Sequence, residues 1–351
     1  MSNIIGKSEI LSILKNGNNN NAIRLPSMID FKFNQLTETL SITMAGSEPS
    51  KNMQTDGSAI EGWILVMYHY LNSSESGISV KKIELEWEKQ TEKNWNSKKG
   101  FSKGHYYRFL YRVAKFKQLF EKWFSVASEL ENELYGVDKV FAQANTYNEN
   151  LVLNVIGNDR RVPKLGNKEA REVIAEYNLA NDDEIKNEFM SKFKIDLIER
   201  QIPTGLFSNG EAKKKNRVFT GGASAIDLIG INTKAGTAKI FELKLDNNAK
   251  VGVISELFFY ACVIEDFIAG RFNLAKNKDP NKGAKDFYDK LKICKTIEAH
   301  ILTPSDTHIL ISDSILNELN EADSEPNIRI CFKVSSLSII KDASTKETPP
   351  A

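Results

Sequence analysis

Cysteine is scarce in this chain: Cys262, Cys294 and Cys331 are the only three in 351 residues, and they are scattered in apolar surroundings. That excludes a disulfide framework and paired zinc spacing, and it suits a reducing, cytoplasmic compartment. The four histidines, His69, His105, His300 and His308, also lack metal-ligand spacing. No apolar run approaches the ~20 residues a membrane span needs, and no signal-peptide pattern stands at the start, so no membrane partner is expected. Internal repeats are absent. The net charge of +1 is uninformative alone, because what matters is where the charges lie. With 41% hydrophobic and 26% charged residues, the chain has room for two domains that each bury a core.

Against this background, residues 224–245, SAIDLIGINTKAGTAKIFELKL, stand out. Almost every position in SAIDLIGI and AKIFELKL is apolar or small, the pattern of strands covered on both faces; the exceptions are Asp227, Lys239, Glu242 and Lys244. A carboxylate or ammonium removed from water costs several kcal/mol unless a partner or metal ion compensates. Side chains alternate along a strand, so Glu242 and Lys244 share a face while Phe241, Leu243 and Leu245 take the other. A turn at Thr233-Lys234-Ala235-Gly236, with Gly236 supplying the permissive backbone, places Asp227 directly across from Glu242. Opposed residues have Cβ atoms roughly 5 Å apart. Two carboxylates that close repel unless one is protonated or a cation lies between them. A hard divalent cation with oxygen ligands suits the pair, Mg²⁺ first and Mn²⁺ second. Such a cation polarises a phosphodiester and acidifies a bound water, and Lys244 beside it would neutralise developing charge.

An apolar strand carrying Asp, a turn, and an apolar strand carrying Glu-x-Lys before a helix resembles the PD-(D/E)xK, or restriction-endonuclease-like, phosphodiesterase superfamily. The resemblance spans roughly residues 185–341. It implies that Asp227, Glu242 and Lys244 are the catalytic residues and that Asp227, Glu242 and the backbone carbonyl of Leu243 hold the metal. The proline that often precedes the aspartate is Ile226 here. Other acid-x-Lys triplets, Asp30 to Lys32, Glu184 to Lys186 and Glu211 to Lys213, lack a preceding strand that carries Asp. Relatives often add a glutamate from the helix before the first strand, for which Glu199 and Glu188 are candidates. They also place a polar residue and an aromatic on the following helix, here Glu256 and Tyr260. A solvated role for either glutamate and plain packing for Tyr260 stay open.

The flanks supply the remaining elements. Asp183 to Arg200 carries Ile185, Phe189, Phe193 and Leu197 at four-residue spacing, which predicts an amphipathic helix. VGVISELFFYACVIEDFIAG predicts a mostly buried helix stopped by Gly270. A basic loop follows, then a strand at IEAHILTP, a helix across SDSILNELNEA and a strand at IRICFKVSSL. The expected fold class is α/β (α+β): a mixed β-sheet flanked by helices in residues 181–341. The tail, 342–351, is expected to be disordered.

Residues 1–180 are expected to form a mainly helical domain with a small β-ribbon, IDFKF and TLSITM, and a boundary uncertain by about 20 residues. GSAIEGWILVMYHYL reads as an apolar helix and SVKKIELEWEKQTE as a charged amphipathic one. From Lys93 to Phe120 there are eight Lys or Arg and no acid. On the helix GHYYRFLYRVAKFKQLF, Phe109, Val113, Phe116 and Phe120 form an apolar stripe, with Arg108, Arg112 and Lys115 on a neighbouring face. With a shorter helix before it, residues 78–120 would make a helix-turn-helix reader of nucleic acid, in which Lys103, Arg108, Arg112 and Lys115 meet phosphates. A plain solvated face is the other reading. Lys214 and Arg217, in a basic loop before the Asp227 strand, and the segment 271–295, with eight basic and three acidic residues, would contact the same substrate. The resulting expectation is a metal-dependent nuclease. DNA is favoured as substrate, and cleavage of a duplex suggests a homodimer, with restriction or antiviral defence as the setting implied by the resemblance. The alternatives are a non-catalytic nucleic-acid-binding or regulatory protein on a nuclease scaffold, and an RNA-processing nuclease.

Overall fold

The computed structural model describes residues 3–90, 103–134, 151–156, 171–219, 224–245, 250–278, 280, 282–304, 310–322 and 328–345. The chain divides into two compact units. The first comprises residues 1–145, 250–256 and 314–323, and the second 146–249, 257–313 and 324–351. The division falls earlier than residue 180, so the strand and helix between 150 and 181 belong to the second unit. No helix among the described residues is long and apolar enough to cross a membrane.

The first unit is built on a five-stranded mixed sheet in the order β1 (Ile4–Gly6), β2 (Ile29–Asn34), β3 (Thr39–Met44), β4 (Lys82–Trp87), β5 (Phe124–Val126). Strands β1 to β3 pair antiparallel, which includes the expected ribbon, and β3, β4 and β5 pair parallel. Parallel neighbours need long crossovers, supplied here by helices α2 (Ile60–Leu71) and α3 (Lys103–Leu119), after the N-terminal α1 (Lys7–Gly17). The sheet is larger than the two-stranded ribbon expected beside the helices of this unit. The charged segment KIELEW is a strand, because Ile83, Leu85 and Trp87 alternate with polar residues and all three are buried against the sheet's helices. Among the described residues of 78–120, the element before α3 is the strand β4, where the helix-turn-helix reading expected a shorter helix. Lys93, Lys98 and Lys99 lie outside the described residues.

The second unit carries a five-stranded sheet in the order β13 (Arg329–Ser336), β12 (Thr296–Thr303), β10 (Thr237–Leu243), β9 (Ala225–Asn232), β7 (Leu197–Pro203). Pairing is antiparallel across β7, β9 and β10 and parallel across β10, β12 and β13, a mixed sheet as expected. Helices α4 (Arg171–Asn181), α5 (Asp183–Phe193) and α9 (Ile339–Thr345) bury Leu179, Phe189 and Ile340 against Leu228, Phe241, Leu243 and Leu302 of the sheet. Helix α9 corrects the tail expectation for residues 342–345; residues 346–351 lie outside the described set. Helix α6 (Gly252–Ile268) ends before Gly270, whose φ of 77° suits glycine alone. Helix α7 (Lys282–Lys292) occupies the segment expected to be a basic loop. Helix α8 (Asp313–Asn320) precedes β13 in the chain but, apart from its first residue, belongs to the first unit. A small second sheet joins β11 (Asn273–Leu274), β6 (Val152–Leu153) and β8 (Leu206–Phe207).

Helix α5 is shorter than its four-residue periodicity suggested. Asp182 caps its start by accepting the Ile185 N–H at 3.1 Å, and Lys194 ends it in the left-handed conformation at φ 53°. The chain then extends, so Leu197 and Glu199 lie on β7 instead of on the helix.

Candidate active site

The β9–β10 hairpin turns where expected. Asn232 pairs with Thr237, and Gly236 adopts φ 62° in the four-residue turn between them. The register runs to the Leu228–Phe241 pair, and one step further along both strands sets Asp227 beside Glu242. Here the Asp227 carboxylate replaces a backbone partner: its Oδ2 accepts the Leu243 N–H at 2.9 Å. Glu242 and Lys244 share a face, and Lys244 Nζ donates to Glu242 Oε1 at 2.6 Å. Glu242 is only 3% exposed, so its charge depends on such partners. Lys244 is held in place by its own backbone N–H, which donates to the Leu302 carbonyl of β12 at 2.9 Å.

A third acid comes from α4. Glu176 is buried, accepts from Arg200 Nη1 at 2.9 Å through Oε1, and accepts from Gln201 Nε2 at 2.6 Å through Oε2. Burial, followed by the negative charge of Asp227, pushes the Glu176 carboxyl up to about 8, against the opposing pull of Arg200. Glu172, one turn earlier on the same helix, accepts the Leu245 N–H through Oε1 at 3.0 Å, which ties α4 to the chain just beyond Lys244. Gln201 has φ 53°, unusual for a side-chain-bearing residue inside a strand, between the Arg200–Leu228 and Ile202–Ile226 pairs. Strain of this kind persists where surrounding contacts over-determine it, and here the Gln201 amide is held by Glu176.

Sequence reasoning named Asp227, Glu242 and Lys244, which the fold brings together, and did not name Glu172, Glu176, Arg200 and Gln201 around them. The available signal was Glu172 and Glu176 four residues apart in EVIAEYNL, one face of a helix. The glutamates nominated for that role lie elsewhere. Glu199 sits half-buried on β7 opposite Ile229, and Glu188 is exposed on α5. Glu256 belongs to the first unit, where it is buried and accepts from Gln54 Nε2 at 2.7 Å. Tyr260 is buried beside Phe259, a packing position.

Of the four phosphate contacts expected on α3, those of Arg108 and Arg112 are corrected. Arg112 is 1% exposed and donates to Glu61 Oε2 at 2.7 Å and to the Ser58 carbonyl at 3.0 Å. Arg108, also buried, donates to Asn52 Oδ1 at 3.2 Å and to His105 Nδ1 at 2.8 Å. Both guanidinium groups hold the first unit together and are closed to a polyanion. Lys103 is exposed and Lys115 half-exposed, each above a tyrosine ring of its own helix, while Lys214 and Arg217 are exposed in the second unit.

Among the described residues, no group of three or more His, Cys, Asp or Glu side chains is arranged to hold a metal ion. No family model, no curated protein and no solved structure matches the chain.

Proposed function

We propose that the second unit is a metal-dependent phosphodiesterase acting on nucleic acid, with DNA as the favoured substrate. The observation that carries this reading is the convergence of Asp227, Glu242 and Lys244 at one end of the β9–β10 hairpin. The donor set fits a hard cation: every candidate ligand is oxygen, and a carboxylate that accepts one hydrogen bond keeps further lone pairs. The raised Glu176 carboxyl beside Asp227 marks a spot where negative charge is in excess for a buried setting, which a cation would relieve.

In this reading Asp227, Glu242 and the Leu243 carbonyl hold Mg²⁺ or Mn²⁺. The bound ion supplies polarisation of the phosphodiester and a more acidic water. Lys244 turns its ammonium toward the charge that accumulates on the phosphoryl oxygens, stabilising it in a partly buried setting. The Asp227–Leu243 and Glu172–Leu245 hydrogen bonds fix the backbone on both sides of Lys244, so its position is set by the fold. Glu176 is a positioning and charge-tuning group, held by Arg200 and Gln201.

A second reading rests on the Lys244–Glu242 ion pair at 2.6 Å, in which the lysine satisfies the carboxylate that a cation would otherwise use. That favours a nucleic-acid-binding or regulatory protein without catalysis. One assay separates the two readings: purified protein with duplex DNA, single-stranded DNA or RNA and Mg²⁺, controlled by EDTA and by Glu242→Ala. Cleavage lost in both controls supports the phosphodiesterase, and cleavage that survives both overturns the metal-site reading. RNA cut in preference to DNA would make it an RNA-processing nuclease.

A further inference from the structure

The two basic segments of the second unit, far apart in sequence, are joined by the small sheet. The Lys276 N–H donates to the Gly210 carbonyl at 3.1 Å, and Asn277 Oδ1 accepts the Ala212 N–H at 2.8 Å. Strand β8 pairs with β6 and β6 with β11, while Phe207 forms a bridge with Arg217. Lys213, Lys214, Lys215 and Arg217 are exposed on one segment, and Lys276 and Lys278 on the other. The acid among the described residues of these two stretches, Glu211, is paired with Lys213 at 2.9 Å.

Beside this surface opens a cavity of about 380 Å³ lined by Phe267, Asn273, Lys276, Tyr288, Asp289 and Lys292. Its volume lies in the range of pre-formed small-molecule sites. Phe267 and Tyr288 meet edge to face at 5.8 Å and form an apolar floor, and the Tyr288 hydroxyl is fixed by the Ile156 N–H at 3.2 Å. The edges of the buried Phe267 and Tyr288 rings, a side-chain amide, two exposed ammonium groups and the exposed Asp289 carboxylate, an acceptor for a base amino group, match a flat heteroaromatic ring that carries a phosphate. A base held this way has left any duplex stack.

We propose that this cavity takes one unpaired nucleotide of a single-stranded DNA segment, whose neighbouring phosphates lie along the basic residues of the two joined segments. The inference rests on the nucleic-acid reading of the second unit and adds to it the form of substrate. Lys276 and Lys292 meet phosphates, and Asn273 faces the base edge.

Binding is measured by fluorescence anisotropy with a labelled single-stranded DNA oligonucleotide in EDTA, across a salt series, for the wild type, Lys276→Ala and Lys292→Ala. Both lysines are exposed, so both variants should fold. The expected result is tighter binding of the single strand than of the same sequence as a duplex. For each lysine lost, the slope of log affinity against log salt falls by about 0.7. Deoxyadenosine monophosphate competes with the oligonucleotide on the wild type and less on Lys292→Ala. Unchanged salt slopes in both variants, or equal binding of duplex and single strand, overturn the proposal. A parallel cleavage assay in Mg²⁺ keeps the two readings apart. Lysine-dependent binding without cleavage upholds the nucleotide site and sinks the phosphodiesterase, whereas cleavage with lysine-independent binding does the reverse.

Discussion

The Leu243 backbone N–H donates to Asp227 Oδ2 at 2.9 Å, so the first acid of the candidate site is fastened to the strand that carries the second acid and the lysine. The Asp227 side chain thereby has two roles, an anchor between strands and a negative charge beside Glu176. Substitution can separate them.

Asp227→Asn keeps an oxygen for the Leu243 N–H and removes the charge. The folded structure should persist, with a melting temperature near that of the wild type. Metal-dependent cleavage should fall by about 10²-fold or more, the scale for loss of an electrostatic contact at a reacting centre. Cleavage rates with saturating Mg²⁺, alongside thermal melts, test this; an Asn variant that cuts at the wild-type rate removes Asp227 from the site.

Glu176 gives the site a pH dependence. Its carboxyl is raised from the ordinary 4.5 to about 8, so between those values the folded chain binds a proton that the unfolded chain has released. Its contribution to stability is therefore fully present below about 4.5 and is lost as pH rises through about 8. Urea denaturation of the metal-free protein at pH 6 and pH 9 should show the wild type losing more stability over that interval than Glu176→Gln. Mg²⁺ binding competes with the same proton, so metal affinity should increase over this range in the wild type and flatten in the Gln variant.

His105 works in the opposite direction, in the first unit. Burial, then the charges of Arg108 and Arg112, hold its imidazole down at about 4. Between about 4 and the ordinary 6.5 the unfolded chain binds the proton, so stability from the neutral ring is present above 6.5 and falls as pH drops toward 4. His105→Asn should flatten the acid limb of a stability–pH profile recorded by denaturation.

Arg112→Ala leaves Glu61 as an uncompensated buried charge and should cost about 3–5 kcal/mol in urea denaturation. The double change Arg112→Met with Glu61→Leu should recover most of that loss. Nucleic-acid affinity, corrected for folded fraction, should be the same in the double variant as in the wild type; a drop would return α3 to the phosphate-contacting surface.

The hairpin was legible because its information is local. Gly236 fixes the turn, and two-residue alternation then determines which side chains oppose each other. Glu176 was not legible, because its burial is created by Arg200 and Gln201, which arrive on a strand whose apolar spacing also fits the end of a helix. The segment KIELEW reads as a charged helix until it is counted in twos, when Ile83, Leu85 and Trp87 fall on one face. In KGAKDFYDKLK the lysines obscured Ala284, Phe287, Tyr288 and Leu291, the buried i, i+3, i+4, i+7 set of α7. Arg108 and Arg112 show the converse error. Basic residues beside an apolar stripe look like a surface, yet Glu61 and Asn52, some fifty positions away, draw them inside.

The order in which the sheet closes follows from its connectivity. Strands β9 and β10 are separated by four residues, whereas β12, the parallel neighbour of β10, begins more than fifty residues after β10 ends. Contacts between near positions form sooner than those that close long loops. Asp227 and Glu242 can therefore meet early in folding, before β12 is in place to hold the backbone of Lys244. Until then Lys244, two residues from Glu242 on the same strand, is the local cation that offsets the two carboxylates, and β12 adds the backbone contact that fixes it.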